Sequence, residues 1–214
     1  MTRSHVHSML VCAAAALLAT APVAMAQGNP PASSSALASP GYTPADVHFM
    51  QGMIGHHAQA LEMAALVPER TTNASIHLLA ERIEVSQKDE IALMRHWLEA
   101  RHESAPDPNA KDQMAGHDMP GMSGMSTPMM PGMLTPEQMQ QLAATKGTAF
   151  DRLFLTGMIQ HHEGALAMVK DLFTKPGAGQ EPETFQFASD VDVDQRAEIA
   201  RMRALLVKLP ASPK

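Results

Sequence analysis

DVHFMQGMIGHHAQALEMA, residues 46–64, aligns without a gap on DRLFLTGMIQHHEGALAMV, residues 151–169. The copies share Asp, Phe, Gly, Met, Ile, both histidines, Ala, Leu and the last Met. Downstream of each, IEVSQKDEIALMRHWL (83–98) aligns on VDVDQRAEIARMRALL (191–206), sharing Val, Gln, Glu, Ile, Ala, Met, Arg and Leu. A unit that recurs with its companion at matching spacing is a duplicated structural module. Its apolar residues recur at three and four, the helical period, and no segment alternates with the period of a strand. The chain therefore reads as two copies of a helical hairpin. Each hairpin has an apolar stripe it cannot bury alone, so the expected fold is all-α, a four-helix bundle.

Punctuation sets the boundaries. Thr43-Pro44-Ala45-Asp46 has helix-start chemistry, with Thr as cap, Pro in the first turn and an acid at the third position. The first helix is expected to stop before Pro68. A second begins near Thr72 or Asn73 and runs to about His102, giving a first hairpin over 43–102. Thr135-Pro136-Glu137-Gln138 repeats the start signal, a break is expected near Gly147, and the last helix covers about Thr184 to Lys208, giving a second hairpin over 135–208. Between them, 103–134 holds Gly and Pro too often for helix or sheet and reads as a Met/Gly/Pro-rich linker.

The chain starts MTRSHVHSMLVCAAAALLATAPVAMAQG, with a positive Arg3, an apolar run and a small-x-small site at Ala24-Met25-Ala26. That pattern is a secretory signal peptide over 1–26, followed by a Pro/Ser/Ala-rich flexible lead over 27–42. No later apolar stretch reaches the ~20 residues of a membrane span, so the expected location is the periplasm. The only cysteine, Cys12, lies in the signal. The exported chain then has His, Met and carboxylates as its metal-ligand inventory. Removing Arg3 takes the net charge from -6 to -7. With no basic stripe, nucleic acid is not an expected partner.

On a helix, Met50, Met53, His57, Leu61 and Ala64 form one arc, with Gln51, Gly55, Ala58 and Glu62 facing away. His57 is central to that stripe and His56 lies at its edge with Met63. The second copy places Met158 and His162 inward, with His161 and Met168 at the edge. Asp46 and Asp151 return to the inner face. On the partner helices Gln87, Ile91, Met94 and Leu98 share a stripe, matched by Gln195, Ile199, Met202 and Leu206. Folding the hairpin brings Gln87 level with Met53 to His57, where it would orient a metal-bound imidazole.

Eighteen methionines against six Phe, one Tyr and one Trp is an unusual balance. Methionine at helical spacing is commonly core filler, and a buried histidine is commonly just hydrogen-bonded, so a packing role stands beside a ligand role. Desolvating two imidazoles per copy is costly unless something pairs with them. The linker adds Met114, Met119, Met122, Met125, Met129, Met130 and Met133 with His117, in a stretch expected to be exposed, where packing does not explain them. Thioether sulfur is soft and neutral and favours Cu(I) or Ag(I), and imidazole suits both copper oxidation states.

Most enzymatic readings fail on inventory, and redox chemistry at a bound copper stays open. His162-Glu163 opens a zinc-protease pattern, but Leu166 stands where its second histidine belongs. A di-iron carboxylate bundle needs two Glu-x-x-His pairs and two further Glu, and only Glu99 with His102 fits. Thiol nucleophiles, phosphate loops and dinucleotide fingerprints are absent from the exported sequence.

The repeated GMIxHH segments, each followed by Q-x-x-E-I-x-x-M, resemble the DUF305 family over roughly 45–207. The resemblance implies a ferritin-like helical bundle, commonly exported, with some members linked to copper binding and tolerance. Carried over by position, it points to Asp46, Met53, His56, His57, Met63, Gln87 and Met94, and to Asp151, Met158, His161, His162, Met168, Gln195 and Met202. Leu205 departs from the first copy's Trp97, and the 103–134 insert lies outside the shared motif. The expectation is a non-enzymatic, exported copper-binding protein. Cu(I) or Cu(II) would be its cargo, silver a mimic, and a periplasmic copper transporter or chaperone its partner. Metal ligands are expected among the Met and His named, with His117, Met119, Met122 and Met125 in the loop, and Asp46, Gln87, Asp151 and Gln195 supporting them. A structural envelope bundle and a copper-dependent redox enzyme are the alternatives.

Overall fold

The computed structural model describes residues 41–109 and 129–210. The signal peptide, the lead up to residue 40 and the loop residues His117, Met119, Met122 and Met125 lie outside the described residues. Six helices follow in order: α1 (Pro44–Ala65), α2 (Val67–Arg70), α3 (Ala74–Ala100), α4 (Pro136–Ala144), α5 (Gly147–Leu172) and α6 (Pro182–Lys208). No strand occurs among the described residues.

Start chemistry operates as its residues dictate. Thr43 and Asp46 form a reciprocal capping box at α1, and Thr135 with Gln138 forms another at α4. Asn73 caps α3 by accepting from the Ser75 N–H. α1 stops before Pro68 as expected, but a further short helix and the start of α6 depart from expectation. α1 ends at Ala65, and Pro68 sits in the first turn of α2, where its missing N–H costs nothing. α6 starts at Pro182 because the Glu181 carboxylate accepts from the Thr184 N–H.

α1 packs on α3, α5 packs on α6, and α1 packs on α5, so two hairpins meet through their first helices as a ferritin-like four-helix bundle. α1 is thus covered on two sides, which explains why Gly55, expected to face out, is buried, while Leu61, expected inside, is half-buried. The hairpins also interlock. Asp46 Oδ1 accepts from the Gly179 N–H at 2.6 Å, and Asp151 Oδ2 from Asn73 Nδ2 at 2.9 Å, so each repeat's Asp fastens the turn region of the other hairpin. Trp97 and Arg101 at the end of α3 bind Glu181 at the start of α6.

A third covering crosses α1 and α5. Residues 130–134 form a strap held on both helices, and Met133 and Leu134 are buried. The Gln59 amide donates to Leu134 O at 2.9 Å and accepts from its N–H at 2.7 Å. Gln160 Nε2 reaches Gly132 O at 3.3 Å. On α5, Gly164 lies so close beneath the strap that a Cβ there would fall 1.9 Å from Pro131 O, and Gly132 adopts φ 77° to fit. The expectation that the linker's methionines have no core to fill is therefore corrected for Met133. The repeats are unequal where the strap lies: Gly55 and Gln59 in α1 correspond to Gln160 and Gly164 in α5. Side chains grip the strap at Gln59 and Gln160, and a missing one makes room at Gly164.

The core forms two apolar clusters. One contains Met50, Met53, Ile91, Met94 and Ala165, and the other Ala60, Met63, Ile83, Met158, Ile199 and Met202. Along every long helix polar residues separate the two clusters: His56 and His57 in α1, Gln87 and Glu90 in α3, His161 and His162 in α5, Gln195 and Glu198 in α6. A polar layer crosses the middle of the bundle.

Candidate metal centre

All four histidines of the layer are buried, with His56, His57 and His162 at 0% exposure. His56, expected at the edge, is as enclosed as His57 because the strap covers it. His57 Nε2 donates to Glu90 Oε2 at 2.5 Å, and His162 Nε2 to Glu198 Oε2 at 2.5 Å. Ser86 Oγ donates to the other Glu90 oxygen at 2.9 Å. Glu90 and Glu198 sit one turn from Gln87 and Gln195, and they, not the glutamines, hold these imidazoles. The Gln87 and Gln195 Oε1 atoms are buried without a hydrogen-bond partner. The sequence carries a signal for the glutamates, since they match between the repeats, but Gln87 and Gln195 are the polar residues within its apolar stripes.

His56 Nε2 donates to Pro131 O at 2.9 Å, and His161 Nε2 to His56 O at 2.8 Å. Their rings lie 3.8 Å apart, centroid to centroid, tilted by 35°. Burial, then the neighbouring His57, lowers the His56 pKa to about 3. Burial, followed by the nearness of the His56 and His162 rings, which disfavours a further positive charge, holds His161 well below its ordinary value. Both are neutral at physiological pH, which permits the close approach. Burial opposes ionisation of Glu90, but the hydrogen bonds from His57 and Ser86 prevail, and the carboxyl sits below its usual range.

A neutral imidazole whose Nε2–H is held by an acceptor carries its lone pair on Nδ1. For His56, His57 and His162 that Nδ1 is buried and has no hydrogen-bond partner. Three lone pairs thus stand unused in the polar layer, each oriented by an acceptor on the far side of its ring, the arrangement that prepares a histidine for a metal. Met53 and Met158, one turn before His57 and His162, are buried at 0% exposure. Among the described residues no three His, Cys, Asp or Glu side chains converge as a metal group. A soft ion in this layer would need thioether sulfur to complete its shell.

The remaining predicted residues fall elsewhere. Met94 and Met202 are buried in opposite clusters, Met63 is buried, and Met168 is half-buried beside the strap. Asp46 and Asp151 are engaged in the interhairpin links, about eleven residues or ~16 Å of helix from His57 and His162.

The profile of DUF305, a domain of unknown function, matches residues 46–206. The chain belongs to the DUF305 family. A DUF305 fragment from Deinococcus radiodurans is 30% identical, with TM-score 0.64, over 78% of this chain and 99% of that one. A DUF305 protein from Streptomyces coelicolor is 27% identical, with TM-score 0.61, over 77% and 91%. CopM in its Cu(II)-bound form is 26% identical, with TM-score 0.58, over 76% and 96%. No curated protein matches the chain. The DUF305 repeat motif thus accounts for the whole bundle, while the insert leading to the strap lies between its two halves.

Proposed function

We propose that this DUF305 chain is an exported, non-enzymatic copper-binding protein. It takes up Cu(I), with Ag(I) as a mimic, and buffers it or hands it to a periplasmic transporter or chaperone. The observation that carries the reading is the set of buried, unpartnered Nδ1 atoms on His56, His57 and His162. An orphaned buried acceptor costs about 1–3 kcal/mol, a cost that metal binding at each Nδ1 would offset. Met53 and Met158 supply neutral sulfur on the same helices, and a neutral N/S set selects Cu(I) or Ag(I) over Zn(II), Mg(II) or Ca(II). The likeness to CopM, a protein solved with Cu(II) bound, supports the same metal. Export is supported by the signal-like N-terminus, and no helix among the described residues is long and apolar enough to cross a membrane.

Competition against a chromogenic Cu(I) chelator tests the reading. The expected result is withdrawal of copper from the chelator, with reduced capacity when His57 and His162 are both replaced by Ala. A folded chain that withdraws no copper at any ratio would leave the histidine layer as packing, the structural-bundle alternative.

A further inference from the structure

We propose that Met130 and Met168, with His48 at the rim, form a separate Cu(I)/Ag(I) entry site where the methionine-rich insert joins the bundle. The inference rests on the copper reading above but on different atoms. Gly52, one turn before His56, has no side chain, and two methionines fill the space. Met168 Cε lies 3.4 Å and Met130 Sδ 3.5 Å from where a Cβ on Gly52 would be. Both residues are half-buried, so the pair packs over Gly52 without being sealed from solvent. A cleft of about 470 Å³ alongside is lined by His48, Phe49, Pro131 and Met168. It offers an imidazole within the approach to the pair.

The duplication supplies an internal control. Gly157 is the counterpart of Gly52, and Met63 the counterpart of Met168. Over Gly157, Met63 Cε lies 3.3 Å and Leu134 Cδ2 3.1 Å from the Cβ position. Packing at the equivalent place is thus satisfied by one methionine and one leucine. Only at the Gly52 end does the strap bring a second thioether, and only there are the side chains over the glycine half-exposed, Met63 and Leu134 both being buried. Two neutral sulfurs and an imidazole are a soft donor set. The strap residue next to Met130 is Pro131, whose carbonyl accepts from His56, so the pair stands at the threshold of the histidine layer.

The test is Ag(I) titration of the full chain carrying ¹³C-methyl methionine, followed by methyl resonances assigned through M130L and M168L. The Met130 and Met168 methyls should shift together and saturate in one step. In M130L, whose side chain copies the Leu134 arrangement, the Met168 response should weaken at least tenfold while the Met63 methyl and the melting temperature stay as in the parent. H48A should weaken the same step. If Ag(I) binds while these two methyls stay still, or if Met168 responds equally in M130L, the site is overturned and the copper reading stands. A chain that binds neither Ag(I) nor Cu(I) overturns both.

Discussion

Gly164→Ala is the sharpest probe of how the strap is held. A methyl there would meet Pro131 O at 1.9 Å and Gly132 Cα at 2.6 Å, both backbone atoms that cannot rotate away. The strap must lift. Lifting returns Met133 and Leu134 to water, at about 1.5–3 kcal/mol each. It also breaks the bond from His56 to Pro131 and both Gln59 bonds to Leu134, together about 2–5 kcal/mol. Against this stand about 1–2 kcal/mol of recovered entropy for each of some five released residues, and about 1 kcal/mol from replacing Gly by Ala inside a helix. The terms nearly cancel. G164A should therefore lower global stability by no more than about 2 kcal/mol while the strap opens locally. Hydrogen exchange reads this directly, because the Leu134 N–H is donated to Gln59 Oε1 at 2.7 Å. Its protection should fall at least tenfold in G164A while the amides of α3 and α6 keep theirs. Unchanged protection at Leu134 would refute the claim that the glycine makes room for the strap.

Other consequences follow from the same contacts. E90Q and E198Q remove the carboxylates that fix the His57 and His162 tautomers, and chelator competition should show Cu(I) affinity reduced about 10–100-fold in the folded variants. His56 carries a folded pKa of about 3 against an ordinary 6.5. The unfolded chain therefore binds more protons between those values, and stability falls as pH drops through 6.5. Urea unfolding of the metal-free chain should show a loss of about 2 kcal/mol from this imidazole between pH 7.5 and pH 5, with His161 adding loss of the same sign. D46A leaves the Gly179 N–H and the Thr43 cap without their acceptor, and D151A removes the partner of Asn73. Each should cost about 1–3 kcal/mol by thermal unfolding without changing copper stoichiometry.

What the repeats share could be read from the sequence, and what they do not share could not. Matching residues in the two copies gave the helices, the hairpin pairing and the central histidines, because a 3.6-residue period and cap chemistry are local. His56 could not be distinguished from an edge residue, because its cover is the strap, a segment more than seventy positions away whose Gly and Pro read only as linker. The strap's grips lie at the two positions where the copies exchange glycine and glutamine, Gly55 for Gln160 and Gln59 for Gly164, and alignment by identity passes over such positions. Glu90 and Glu198 were visible as a shared residue. That they face the imidazoles depends on how α1 and α3 meet in three dimensions, and a shift of one turn separates them from Gln87 and Gln195.

In the proposed copper centre, imidazole Nδ1 lone pairs of the polar layer receive the metal while Nε2 stays bound to protein acceptors. Long-range ¹H–¹⁵N correlation of the histidine side chains, recorded on the full chain before and after loading with Ag(I), tests it directly. His56 and His161 should show Nε2–H tautomers without metal, and loading should bring large Nδ1 shifts at His57 and His162 with their Nε2–H signals retained. Metal uptake with no Nδ1 of the layer moving would contradict it.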